Sequence, residues 1–369
     1  MRGHTKIPGL GIGRVWQKGL EWQIMKPDHP GRAAARHPSR TWWARPSART
    51  TIAAGGCLAI VVVVSVSFFA RWGVGGSAGA AVSRLQLEDI PFNGGRAYEY
   101  LKRICALGPR PSGSAGMAAQ QKLLVEHFSK LGAQVRLQQF RIKHPLDGSL
   151  VPMANLIVQW HPESQQRILL CTYYDTLPLP MRDPHNPRGV FVGANDGASG
   201  VAVLMELGSE MQGLSSRYGV DFVFFDGEEF IFSEDGRFFL GSEYFARHYA
   251  EDRPAYRYRW GVLLDMVGDA DLQIYQERNS VWWRDTRPLV EQIWATARRL
   301  GVREFIAEKK YEVSDDHVKL HNLGGIPACD IIDFDYPVWH TQDDTPERCS
   351  ALSLAKVGWV VREWLKVAE

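Results

Sequence analysis

Four apolar runs between residues 167 and 333 lead into acidic residues: Arg167 to Asp175 (RILLCTYYD), Val220 to Phe230 (VDFVFFDGEEF), Trp260 to Asp265 (WGVLLD) and Ile326 to Asp333 (IPACDIID). Short runs that are apolar at nearly every position predict strands buried on both faces, as in a parallel sheet. The glycine-rich stretch Gly193 to Gly200 (GANDGASG) predicts a turn into a helix, and Gly108 to Ser114 predicts a turn before a helix over Ala115 to Leu131. In open α/β sheets ligands bind beyond the carboxyl ends of the strands, so these acidic tips fall where chemistry is expected.

The first eighty residues show another pattern. Between Arg49 and Arg71 lie twenty-one uncharged residues, dominated by Ile60 to Phe69, which is enough for a membrane-spanning helix. The first fifty residues carry ten Lys or Arg against Glu21 and Asp28, an excess of eight positive charges, so a total of +2 leaves the rest of the chain at −6. This asymmetry predicts a cytoplasmic tail and an exported catalytic domain. A cleaved signal peptide is the rival, because small residues come next at Ser77 to Ala81. The Pro- and Arg-rich stretch from Pro27 to Arg49 reads as a disordered tail, and Gly73 to Ala81 as a flexible tether. The expected organisation is a basic tail (1–49), a transmembrane helix or signal anchor (50–70), a linker (71–90) and a catalytic domain (91–369). Charge this uneven gives no reason to expect a nucleic-acid partner. The alternating glycines Gly9, Gly11 and Gly13 come after no strand and do not read as a phosphate loop.

The acids themselves suggest a chemistry. Glu228 and Glu229 are adjacent on an extended segment, so their side chains point opposite ways, and one can ligate a metal while the other carries protons. Asp196, Glu229 and His340 form an oxygen, oxygen, nitrogen set that suits zinc with a fourth position open. Taken singly, Asp196 before Gly-Ala-Ser reads as a helix N-cap and His340 as an ordinary loop histidine. Their shared position at strand ends favours the metal reading.

Five motifs in one order, GANDGASG, FFDGEE, LLDMVGD, SDDH and VWHTQDD, resemble the zinc-dependent aminopeptidase family, and specifically its glutaminyl-peptide cyclotransferase branch, from about Gly95 to the C-terminus. The resemblance implies one zinc per chain held by Asp196, Glu229 and His340, a general acid/base in Glu228, substrate-orienting acids in Asp265 and Asp315, and a pocket wall in Trp339. The implied reaction acts on peptide or protein N-termini, converting glutamine to pyroglutamate with release of ammonia; the alternative is an aminopeptidase that hydrolyses N-terminal residues. Tyr173-Tyr174-Asp175 stands where two-metal aminopeptidases carry a His-x-Asp whose histidine holds the second zinc. A phenol, with a pKa of about 10, is a poor zinc ligand near neutral pH. The missing histidine favours one zinc and a cyclisation in which the substrate's own amine is the nucleophile, although Tyr173 also fits plain strand packing.

This chain departs from the branch in its pocket. Further aromatics usually line it, whereas Phe230-Ile231-Phe232-Ser233-Glu234 comes after Glu229 here and Asp335 stands upstream of Trp339, which predicts a wider, more acidic pocket. His317, beside Asp315 and Asp316, reads either as a partner behind the site or as an exposed helix-start histidine. Five cysteines do not force a disulfide framework at this length: Cys57 lies in the apolar segment, Cys171 and Cys329 in predicted strands, and Cys105 and Cys349 are candidates to pair in an oxidising compartment. Intact Glu228, Glu229, Asp196 and His340 argue against a catalytically dead binding domain. The expected fold is a three-layer α/β/α domain with a mainly parallel, mixed central sheet. It would be membrane-tethered with the catalytic domain extracytoplasmic, and secreted or periplasmic if the apolar segment is cleaved.

Overall fold

The predicted apolar runs become the inner strands of one sheet in the computed structural model, which describes residues 82–233 and 236–369. The strands are β1 (Gln134–Lys143), β2 (Leu150–Trp160), β3 (Gln166–Tyr173), β4 (Gly219–Phe225), β5 (Arg257–Asp265), β6 (Ile274–Gln276), β7 (Phe305–Lys309) and β8 (Ala328–Ile332). Six of them lie in the order β1-β2-β4-β3-β5-β8. The pairs β4/β3, β3/β5 and β5/β8 are parallel, while β1/β2 and β2/β4 are antiparallel. The sheet is therefore mixed and mainly parallel, with β6 and β7 forming a separate parallel pair.

The helices are α1 (Gly94–Cys105), α2 (Ala115–Lys130), α3 (Ser199–Gly208), α4 (Leu240–Asp252), α5 (Arg278–Trp282), α6 (Arg287–Leu300), α7 (Asp316–Gly324) and α8 (Ala351–Leu365). Alternate strand residues face opposite layers. Ile168 and Leu170 join a core with residues of α1, α2, α3, α6 and α8, whereas Leu169 and Cys171 join Phe245 and Ala246 of α4 and Leu320 of α7. Two buried layers explain why the strands read as continuously apolar. A Leu170→Ala change in such a core costs about 2–5 kcal/mol. Helix α3 is buried along its whole length. A Cβ at Gly200 would lie 2.3 Å from Thr172 Oγ1 and 2.6 Å from the Leu264 carbonyl oxygen, so glycine lets this helix settle onto the sheet.

The N-terminal boundary differs from expectation. Ser83 donates through its backbone N and its Oγ to Glu304 Oε1 (3.0 and 2.9 Å), which also accepts from Lys356 Nζ at 2.8 Å. Ile90 is buried, and Leu85 and Leu87 pack on the core, so the described part of the expected linker belongs to the catalytic unit. The basic tail, the apolar segment 50–70 and the tether through Ala81 lie outside the described residues. Among the described residues no helix is long and apolar enough to cross a membrane. Cys105, Cys171, Cys329 and Cys349 are buried free thiols, and Cys57 lies outside the described residues.

Candidate active site

Three buried carboxylates fix the backbone on which the site is built. Asp175, just past β3, accepts from the backbone N of Glu228 (3.1 Å) and of Glu229 (3.0 Å). Asp226, at the end of β4, accepts from Ser112 Oγ (2.6 Å) and Ala154 N (2.8 Å). Asp344 accepts from Asn195 N (2.8 Å), Asp196 N (3.1 Å) and Tyr336 Oη (2.7 Å). Each acid clamps one loop against another at the carboxyl end of the sheet. Backbone strain occurs here too: His340 (φ 61°) and Met266 (φ 46°), next to Asp265, are left-handed without being glycine.

On this frame Asp196, Glu229 and His340 converge. Their ligating atoms lie within 4.8 Å of one another, and all three residues are buried. His340 Nε2 is 3.0 Å from Glu229 Oε1 and 3.4 Å from Asp196 Oδ2. Asp196 is not the helix cap: α3 begins at Ser199 with Ala198 as its N-cap. Burial lowers the His340 imidazole to about 4, so its ring is neutral and offers a lone pair near pH 7. Burial, with Glu229 next in effect, raises the Asp196 carboxyl well above the usual range, and burial followed by the charge of Asp265 raises Glu229 to about 8. Asp196 Oδ2 and Glu229 Oε2 have no hydrogen-bond partner. Buried acids of one sign, orphaned oxygens and a neutral imidazole fit a divalent cation, which would satisfy all of them together.

The remaining predicted acids surround this trio. Tyr173, at the end of β3, donates its hydroxyl to Asp196 Oδ1 and lies 2.6 Å from Asp265 Oδ1. Burial raises the Asp265 carboxyl to about 7. Glu228 is buried with Oε2 unpartnered, and desolvation, then Glu229, then Asp315 push its carboxyl well above the usual range. Asp315 caps α7 by accepting from Asp316 N at 2.5 Å. Behind it lies a second buried group: Asp315, His317 and Asp330 bring ligand-type atoms within 4.8 Å of one another, and His317 Nε2 is 3.3 Å from Glu277 Oε2. His317 is therefore fully buried, which corrects the exposed-histidine reading.

The peptidase family M28 matches residues 155–365. The chain belongs to this family, in its glutaminyl cyclase branch. It is 38% identical to a glutaminyl cyclase from Fimbriiglobus ruber, whose crystal structure superimposes with a TM-score of 0.73 over 76% of this chain and 96% of that one. A Zn-dependent exopeptidase from Parabacteroides distasonis is 30% identical with a TM-score of 0.70, covering 74% of this chain and 98% of that one. The mouse glutaminyl-peptide cyclotransferase-like protein is 28% identical over 64% of this chain, which spans 66% of that protein's length.

Within this M28 domain the side chains around His340 differ from the sequence expectation. Trp339 packs against His340 (ring centroids 4.1 Å) and Phe334 (5.1 Å). Phe191, whose ring centroid lies 6.3 Å from that of His340, groups with Leu177, Ile231, Met181 and Phe238. Of the residues after Glu229, Ile231 joins this group together with side chains from distant segments, while Phe230 is buried with Phe140, Met153 and Leu240. Asp335 does not make the pocket acidic, because Lys310 Nζ pairs with it at 2.6 Å and Tyr311 donates to it. Glu234 lies outside the described residues. Asp344 and Asp175 were missed as site residues; the second Asp of VWHTQDD and the last residue of RILLCTYYD were the available signals.

Proposed function

We propose that this M28 protein is a zinc-dependent glutaminyl-peptide cyclotransferase that closes an N-terminal glutamine into pyroglutamate and releases ammonia. The observation that carries the proposal is the Tyr173 hydroxyl between Asp196 and Asp265. With a phenol there, the metal site formed by Asp196, Glu229 and His340 lacks the adjoining ligand that a two-metal hydrolase would need beside it. Zinc held by these three residues would supply a Lewis acid for the side-chain carbonyl of the substrate glutamine.

The residues of the chain would divide the remaining work. Glu228 accepts a proton from the α-amine as its nitrogen bonds to the side-chain amide carbon. The carbon–nitrogen bond of the amide then breaks, and Glu228 returns the proton to the nitrogen that leaves as ammonia. A raised carboxyl pKa suits a group that must both take and give a proton. Asp265 and Asp315 orient the amine and the amide through charge-assisted hydrogen bonds, and Trp339 walls the folded-back substrate. Because attack is intramolecular, holding the reactive rotamer is most of the task.

The resemblance to a Zn-dependent exopeptidase keeps hydrolysis of N-terminal residues as the second reading. Ammonia release from a Gln-initiated peptide that keeps every residue supports cyclisation; free glutamine instead would overturn it. The N-terminal organisation belongs to the same proposal: a cytoplasmic tail at 1–49, a membrane anchor at 50–70 and an exported catalytic domain.

A further inference from the structure

One cation at the rim of the site is used neither by the metal residues nor by the acids. Arg182 lies in the segment between β3 and α3, with its guanidinium carbon 4.6 Å from the centre of the Trp339 ring. Its backbone N donates to the His340 carbonyl oxygen at 3.1 Å. The segment is built rather than loose: the carboxylate of Asp183 accepts from His185 N (2.9 Å), Asn186 N (2.8 Å) and Gln342 N (3.0 Å). Arg182 is exposed, and among the described residues no carboxylate forms an ion pair with it. Its nearest acidic neighbour in sequence, Asp183, is committed to the loop, and Asp335 is matched by Lys310.

A guanidinium held over an indole is a cation–π pair, and its planar fork of N–H groups can receive a carboxylate in two hydrogen bonds. In the cyclotransferase reading the first residue of a substrate lies at the acids and against Trp339, which would bring Arg182, held over that ring, beside the residues that come next. Resting on the cyclotransferase reading, we propose that Arg182 selects substrates by the residues just after the N-terminal glutamine: peptides with Asp or Glu at the second or third position are the preferred ones.

The test compares kcat/KM for Gln-Glu-Ala, Gln-Ala-Ala and Gln-Lys-Ala peptides, in low salt and in about 0.3 M salt, where exposed charges are screened. The expected order is Glu, then Ala, then Lys, with Glu about five-fold over Ala in low salt, the upper range for an exposed ion pair. Ratios within each variant separate charge from stacking, since loss of the stacked group would slow all three peptides alike. R182K should keep the order, R182Q should bring the three within about two-fold, and R182E should reverse it. Equal rates for the wild type, or an unchanged order in R182E, would overturn the preference while cyclisation stands. No cyclisation of Gln-Ala-Ala would overturn both.

Discussion

Replacing Tyr173 by phenylalanine removes one oxygen from the centre of the site. That hydroxyl is buried and hydrogen-bonded toward Asp196 and Asp265. One phenolic proton serves one carboxylate at a time, so the loss amounts to about one hydrogen bond to a charged acceptor, ~1.5–3 kcal/mol. For a domain of this size that corresponds to a fall in Tm of roughly 2–5 °C. Thermal unfolding of the zinc-loaded wild type and variant measures the cost, with elemental analysis and turnover in parallel. The variant should keep one zinc and lose turnover, because Asp265 is no longer held. A Tm within about 1 °C of the wild type, with unchanged turnover, would refute Tyr173 as a strut between the two acids.

Glu228→Gln should keep its zinc and lose about 10²–10⁴-fold in kcat, the usual worth of a general acid/base, whereas His340→Ala should lose zinc as well; a near-normal rate for Glu228→Gln would remove it from the mechanism. Elemental analysis of the dialysed wild type should return one zinc per chain, and two would contradict the single-metal site. The pH response of the metal-free protein derives from Asp265 at about 7 and Glu229 at about 8, both above their unfolded values. Between about pH 4 and 8 the folded state then retains protons that the unfolded chain has released, so stability falls as pH rises. A chelator should lower Tm more at pH 8 than at pH 5, and a larger drop at pH 5 would contradict this. Deleting Met1 to Ala70 should leave a soluble, folded enzyme, while deletion through Ile90 should not, since Ser83 and Ile90 are part of the packed unit; a reporter that works only outside the cytoplasm, fused after Glu369, should be active, and an inactive one would contradict export.

The inner strands were legible because burial on both faces makes Ile168 to Cys171 and Val220 to Phe225 apolar at most positions. The strands β1 and β2 were not anticipated. Much of β1 is exposed at the sheet edge, and Gln138 and Gln139 interrupt its apolar positions. Asp196, Glu229 and His340 could be found because ligand residues carry an unusual chemistry at strand ends. The roles of Asp175, Asp226 and Asp344 could not be read: a carboxylate that accepts from backbone N–H groups more than fifty residues away leaves no periodic trace. The misjudged acidity at Asp335 has the same origin, since its partner Lys310 lies on another segment and only folding brings them together.

The central claim is that the substrate's own amine, and not water, attacks at this site. Incubating the catalytic domain with an equimolar mixture of a Gln-initiated and a Leu-initiated peptide, then recording mass spectra, reads both reactions in one vessel. Cyclisation should remove ammonia from the Gln peptide, leave every residue in place and leave the Leu peptide intact. A shortened Leu peptide beside an uncyclised Gln peptide would contradict the account and make the protein an aminopeptidase.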